Sequence, residues 1–259
     1  MSEVLTKIER GAGWITLSGP SSRNALSPQA VIGLAEAFRR FGEDASVRCI
    51  VLRGDAGHFC SGADLRKTFS EDPEIMNKLE EHIDRFHALI HSVVENPKPT
   101  IAAMDGAAVG FGADLALSCD LRIAGTNAYI QERFVKIGLM PDGGGTFWLP
   151  RILGTARAFS ATYLAEKFEG DALVTLGLVN RKVASEDLDK VTTEIVDELV
   201  ASPPLALAAI KRAIYASLGD VRAALKRERD GQLKLLRSQD CMEGVMAWAQ
   251  KRTPQFTGQ

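Results

Sequence analysis

Hydrophobic and polar positions along the chain switch between a period of two and a period near 3.6, and the switches mark out its elements. Val4–Ile8 and Trp14–Leu17 read as strands separated by Glu9-Arg10-Gly11-Ala12-Gly13, a hairpin signal. Over Ser27–Phe41 the residues Val31, Leu34, Ala35 and Phe38 share one helical face, with Ser27 placed to cap and Pro28 suited to the first turn. Val47–Leu52 reads as a buried strand. Asp72–Asn96 carries Met76, Leu79, Ile83, Phe86, Ile90 and Val93 in steps of three and four, an amphipathic helix that Pro97 and Pro99 end. Thr100–Met104 is a buried strand, Gly106–Cys119 a glycine-containing helix start, and Leu121–Ala124 another strand. This alternation predicts an α/β fold with helices packed on sheets. Beyond Leu178-Val179-Asn180 the pattern is helical almost throughout: Leu188–Val200, Leu205–Ser217 and Val221–Arg237, punctuated by Ala201-Ser202-Pro203-Pro204 and Gly219-Asp220. A subdomain boundary is expected near Ser202, giving a core over 1–201 and a helical region over 202–259.

Composition narrows the function classes. A chain of 259 residues that is 46% hydrophobic and 25% charged is long enough to bury a sizeable core. The net charge of −2 gives no general attraction to nucleic acid or anionic membrane. The N-terminal MSEVLTKIERG has no apolar stretch of the secretory kind, and Asp105, Asp114 and Asp120 interrupt the longest apolar run, so a cytoplasmic protein without a membrane span is expected. Cys49, Cys60, Cys119 and Cys241 form neither a CxxC pair nor a zinc spacing, and no metal site is expected. His87 and His91 are four apart on a helix but lack a third ligand. Lys211, Arg212 and the run Lys226-Arg227-Glu228-Arg229 read as charges on helix faces.

Three glycine-rich stretches are the candidates for chemistry. His58-Phe59-Cys60-Ser61-Gly62-Ala63-Asp64-Leu65 follows a predicted strand, and Gly106-Ala107-Ala108-Val109-Gly110-Phe111-Gly112-Ala113-Asp114 precedes a helical run. Neither is a phosphate-binding loop or a nucleophile elbow. Glycine allows close approach to the main chain, and the first turn of a helix has N–H groups without intrahelical partners, so two such groups converging on one oxygen would form an oxyanion hole. The plain alternative is a tight turn. In the third stretch, Phe134-Val135-Lys136-Ile137-Gly138-Leu139-Met140-Pro141-Asp142-Gly143-Gly144-Gly145-Thr146, Pro-Asp-Gly is a turn signal and Asp142 is a candidate cap for a helix beginning near Gly143.

Taken together and in order, Arg23-Asn24-Ala25-Leu26, Phe59–Leu65, Pro97–Asp120, Ile137–Thr146 and the tail from Glu243 to Phe256 resemble the crotonase (enoyl-CoA hydratase/isomerase) family over essentially the whole chain. The resemblance implies a spiral of β-β-α units followed by C-terminal helices that make homotrimers, often paired as hexamers. It implies an acyl-CoA thioester as substrate, with coenzyme A part of that substrate and no separate cofactor. The thioester carbonyl would sit between the backbone N–H groups of Ala63 and Phe111. Many relatives carry glycine where this chain has Phe111, and its ring is expected to narrow the acyl pocket. Arg23, Ala25, Ser61, Asp64, Leu65, Gly110, Phe134 and Lys251 match substrate- or CoA-contacting positions; Arg66 and His58 are further candidates near CoA.

The family's hydratases resemble one another in carrying two glutamates. Asp114 stands at the first of these places and Phe134, which can neither hold nor activate water, at the second; Glu132 lies two residues before it. Asp142 matches an aspartate that carries the proton in some family isomerases, and the run from Phe134 to Pro150 is most similar to the epoxyphenylacetyl-CoA isomerase branch. The expectation is an enzyme that isomerises the double bond of an enoyl-CoA, with Asp142 as proton carrier and Asp114 assisting. Hydration of a trans-2-enoyl-CoA, or a non-catalytic CoA- or RNA-binding role on the same fold, are the alternatives; no aromatic–basic platform for RNA is present.

Overall fold

The computed structural model describes residues 2–70 and 77–259. The hairpin forms as β1 (Glu3–Glu9) and β2 (Ala12–Ser18). Helix α1 (Pro28–Glu43) starts where the cap pattern puts it, the Ser27 hydroxyl accepting from the Ala30 N–H at 3.2 Å. There follow β3 (Cys49–Gly54), α2 (Leu65–Ser70), α3 (Leu79–Val94), β4 (Thr100–Met104), β5 (Ala107–Val109), α4 (Phe111–Ser118), β6 (Leu121–Ala124) and β7 (Tyr129–Gln131). The second half holds α5 (Gly145–Leu153), α6 (Thr155–Tyr163), β8 (Lys167–Glu169), α7 (Ala172–Thr175), β9 (Arg181–Lys182), α8 (Leu188–Ala201), α9 (Pro204–Leu218), α10 (Val221–Leu236) and α11 (Gln239–Gln250). Of the helix expected over Asp72–Asn96, the portion from Leu79 is observed; positions 71–76, Met76 among them, lie outside the described residues.

Among the described residues two sheets run through the molecule. The larger has the order β1-β2-β3-β4-β6-β9, antiparallel only at β1/β2; the smaller has the order β5-β7-β8. The chain alternates between them, β4 to β5 and then β6 to β7, with α4 between, which gives a spiral of β-β-α units. Strands β3 and β4 are buried on both faces, as parallel strands covered by helices must be. Cys49, Val51, Ile101 and Ala103 face α8, packing with Leu188, Ile195 and Val196. Ile50, Leu52, Ala102 and Met104 face the opposite way, into a core shared with α1, α3 and α4.

One expected element is corrected. Gly106–Cys119 is not a continuous helix start: Ala107–Val109 pairs in parallel with Tyr129–Gln131, and the helix begins only at Phe111. Gly106 and Gly110, both at φ +54, turn the chain at each end of the short strand, a conformation an L side chain resists.

The helical region from Ser202 onward is anchored in the core. Lys211, expected on a helix face, is buried: its ammonium pairs with Asp120 Oδ2 at 2.9 Å and donates to the Val93 carbonyl at 3.0 Å. The Tyr215 hydroxyl lies 3.1 Å from the other Asp120 oxygen. Helix α10 packs on α3 and α5. Leu205, Ile210 and Ile214 on α9 and Met242, Met246 and Trp248 on α11 remain exposed in the single chain. All four cysteines are buried thiols. Among the described residues no single helix is long and apolar enough to cross a membrane, and no cluster of His, Cys, Asp and Glu has metal-binding geometry.

Candidate active site

The segment after β3 is stitched between two others. Leu26 N–H donates to the Gly62 carbonyl at 2.8 Å and Asp64 N–H to the Leu26 carbonyl at 2.9 Å, while Ser61 N–H donates to the Arg23 carbonyl at 3.0 Å. On its other side Cys60 exchanges hydrogen bonds with Ala107 and Val109, at 2.7 and 2.9 Å. Asn24 locks the corner, accepting from Gly19 N–H at 2.8 Å and donating to the His58 carbonyl at 2.7 Å. This brings Arg23, Ala25, Ser61, Asp64 and Leu65 beside Gly110 and Phe111. The approach is close: a Cβ on Gly62 would lie 2.8 Å from the Val109 carbonyl oxygen and 3.5 Å from the Phe111 nitrogen. The N–H groups of Ala63 and Phe111 have no acceptor among the described residues, Phe111 being the first residue of α4.

Around α4 the fold assembles four carboxyls from four parts of the chain: Asp114 on α4, Glu132 after β7, Asp142 before α5 and Glu228 on α10. Asp114 is fully buried; its Oδ2 accepts from Gly143 N–H at 2.9 Å. A Cβ on Gly145 would come within 2.5 Å of Asp114 Oδ1, so this glycine leaves the room the carboxyl occupies. Glu132 is 2% exposed and adjoins Asp114, and no other described residue donates a hydrogen bond to it. Burial pushes Asp114 well above the usual carboxylate range and Glu132 to about 8, and each carboxyl also feels the others. Two buried carboxyls in contact without a cation cannot both ionise, so this pair retains a proton at neutral pH.

Asp142 differs in being only partly buried. Its Oδ2 accepts from Gln232 Nε2 at 3.0 Å, and burial together with the Glu228 charge pushes it up to about 7. It does not cap α5. That task falls to Glu228, which accepts from Gly144 N–H at 2.7 Å, from Thr146 N–H at 2.9 Å and from the Thr146 hydroxyl. An acid at a helix N-terminus is favourable, by about 2 kcal/mol at most when partly buried. Glu228 was expected on a solvated helix face and is instead fully buried. It and Gln232 are the site residues that the sequence reading missed. Their signal was present: Leu225, Glu228, Gln232 and Leu236 recur at helical spacing, placing a charge inside an apolar stripe.

One other expectation is adjusted. The Phe111 ring is 2% exposed and packs edge-on against Phe86, with centroids 4.5 Å apart, so it belongs to the core rather than to an open acyl pocket. Phe134 is half-buried, with its ring 3.8 Å from where a Gly110 Cβ would sit. His58 faces the β4–β5 turn, its Nδ1 3.4 Å from Ala107 N. Arg23 and Lys251 are exposed, and the Arg66 guanidinium lies over the Trp248 ring at 5.5 Å, which sets the end of α11 beside α2.

Two sheets linked by β-β-α units, with a cluster of buried acids at α4, define a fold class that sequence comparison names. The enoyl-CoA hydratase/isomerase family model matches residues 7–259. A probable enoyl-CoA hydratase of Rhodobacter capsulatus is 38% identical over 253 residues, covering 97% of this chain and 96% of its own. The 1,2-epoxyphenylacetyl-CoA isomerase of Escherichia coli K12 is 35% identical over 260 residues, covering 100% and 99%. A crystal structure of an enoyl-CoA hydratase from Mycobacterium avium subsp. paratuberculosis K-10 superposes with a TM-score of 0.89 at 31% identity over 98% of each chain. This chain belongs to the enoyl-CoA hydratase/isomerase family and has the crotonase fold.

Proposed function

We propose that this acyl-CoA enzyme moves the double bond of an enoyl-CoA, with Asp142 as proton carrier. The thioester oxygen accepts from the Ala63 and Phe111 N–H groups, which hold the negative charge that develops on it. Asp142 takes a proton from C2, leaving the electron pair in a dienolate, and returns that proton to C4. A carboxyl pushed up to about 7 suits both halves of this exchange near neutral pH. The observation that carries the reading is the contrast among the acids: Asp142 alone of the four is partly exposed, whereas Asp114 is sealed and bonded to Gly143. Asp114 assists by anchoring the turn that holds Asp142. Phe134 makes the adjoining wall apolar, where water activation would need a second carboxylate.

One observation favours a hydratase instead: Glu132 enters the site beside Asp114, so two carboxyls do stand together. Rates on a 3-enoyl-CoA and on crotonyl-CoA separate the two readings. Isomerisation should outrun hydration in the wild type and fall about 10²–10⁴-fold in Asp142→Asn. Efficient hydration that survives Asp142→Asn but is lost in Asp114→Asn or Glu132→Gln would establish the hydratase.

A further inference from the structure

Helix α10 lies outside the glycine-rich stretches, yet two of its side chains, one turn apart, grip both ends of the turn that carries Asp142. Gln232 is 2% exposed; its Oε1 accepts from Met140 N–H at 3.1 Å and its Nε2 donates to Asp142 Oδ2 at 3.0 Å. Glu228, fully buried, accepts from the Gly144 and Thr146 N–H groups just past Asp142. We propose that Glu228 and Gln232 are positioning residues that set the proton affinity of Asp142 in opposite directions, Glu228 raising it by its charge and Gln232 lowering it by its hydrogen bond. The inference rests on the reading of Asp142 as proton carrier.

The reasoning is electrostatic. Three donors, two of them at a helix N-terminus, favour the ionised form of Glu228. Asp142 has two, the Gln232 amide and its own backbone N–H. The larger donor set favours the ionised form at Glu228 more than at Asp142, although burial raises both. The remaining groups around Asp142 leave this balance in place. His87 on α3 lies beside the main chain of Asp142, and burial holds it down at about 4, so it is neutral near pH 7. Asp114 on α4 and Glu132 after β7 share one proton and keep one negative charge between them, which neither variant below alters. Of the two cations flanking Glu228 along α10, Arg229 is committed to Asp84 at 2.5 Å and to Glu80, while Arg227 favours the charged form of Glu228. Glu228 is thus the charge on α10 that raises Asp142, and Gln232 the donor that offsets it.

The test titrates Asp142 directly, by carboxyl carbon-13 NMR of aspartate-labelled full-length protein, taking the signal absent from Asp142→Asn. In the wild type the midpoint should lie near 7. In Glu228→Gln it should fall by about one pH unit, and in Gln232→Leu it should rise by a similar amount. The acid limb of kcat/KM on a 3-enoyl-CoA should move the same way in each, which a merely structural helix cap would not produce. A midpoint unchanged or raised in folded Glu228→Gln overturns the proposal. If that variant does not fold, Gln232→Leu decides alone, a midpoint at or below the wild-type value overturning it. Retained activity in Asp142→Asn would sink the proton-carrier reading separately, since the NMR titration does not depend on turnover.

Discussion

Replacing Asp142 by asparagine should cost activity and add stability, a combination that a structural aspartate would not give. The folded protein holds this carboxyl near 7 against an ordinary value of 3.8. A group whose proton affinity is raised by folding favours the fold fully below its unfolded pKa. That contribution is lost as pH rises toward the folded pKa, so the penalty grows from about pH 4 to about pH 7 and is constant above. At 1.36 kcal/mol per unit the gap corresponds to about 4 kcal/mol. Because Asp142 keeps part of its surface in water, screening reduces this, and about 1–2 kcal/mol is the expected gain for a neutral asparagine at pH 8. For a chain of this size that is a rise in Tm of roughly 3–6 °C, nearly absent at pH 4. The assay pairs thermal unfolding at pH 4, 6 and 8 with turnover of a 3-enoyl-CoA, where kcat should drop about 10²–10⁴-fold with little change in CoA affinity. In the wild type kcat should fall about tenfold per pH unit below 7, because the base must be ionised to act. A folded Asp142→Asn that keeps full turnover, or that is less stable than wild type at pH 8, would refute the reasoning.

Other outcomes follow from the packing. Lys211→Met leaves Asp120 without its buried cation and should destabilise the protein by about 3 kcal/mol in urea unfolding, although the residue is remote from the site. Phe111→Leu should keep both the backbone donor and most of the core and remain active. Phe111→Gly should cost about 3–5 kcal/mol through the cavity left against Phe86. Phe111→Pro deletes the N–H itself and should abolish turnover in whatever fraction folds, as measured by kcat normalised to CoA-binding protein. Activity in Phe111→Pro would remove that N–H from the mechanism.

Local pattern carried most of the architecture. The hairpin, α1 with its Ser27 cap, β4, β6 and the C-terminal helices follow from periodicity and punctuation, which act between neighbours in the chain. The order of the glycine-rich stretches, through their resemblance to a family, brought Ala63, Phe111, Asp114 and Asp142 together as candidates. What local pattern could not decide was partnership across the chain. Ala107–Val109 is a strand because Tyr129–Gln131 lies beside it, and a three-residue run among glycines carries no such information alone. Phe111 packs on Phe86 because α3 crosses α4 there. Lys211 is buried because Asp120, ninety-one positions earlier, meets it. The four acids sit within one electrostatic environment although Asp114 and Glu228 are more than a hundred residues apart, and only α10 folding back on α5 joins them. Sequence spacing determines which side chains share a face; the burial and neighbouring charges that decide whether a carboxyl holds its proton are properties of the assembled fold.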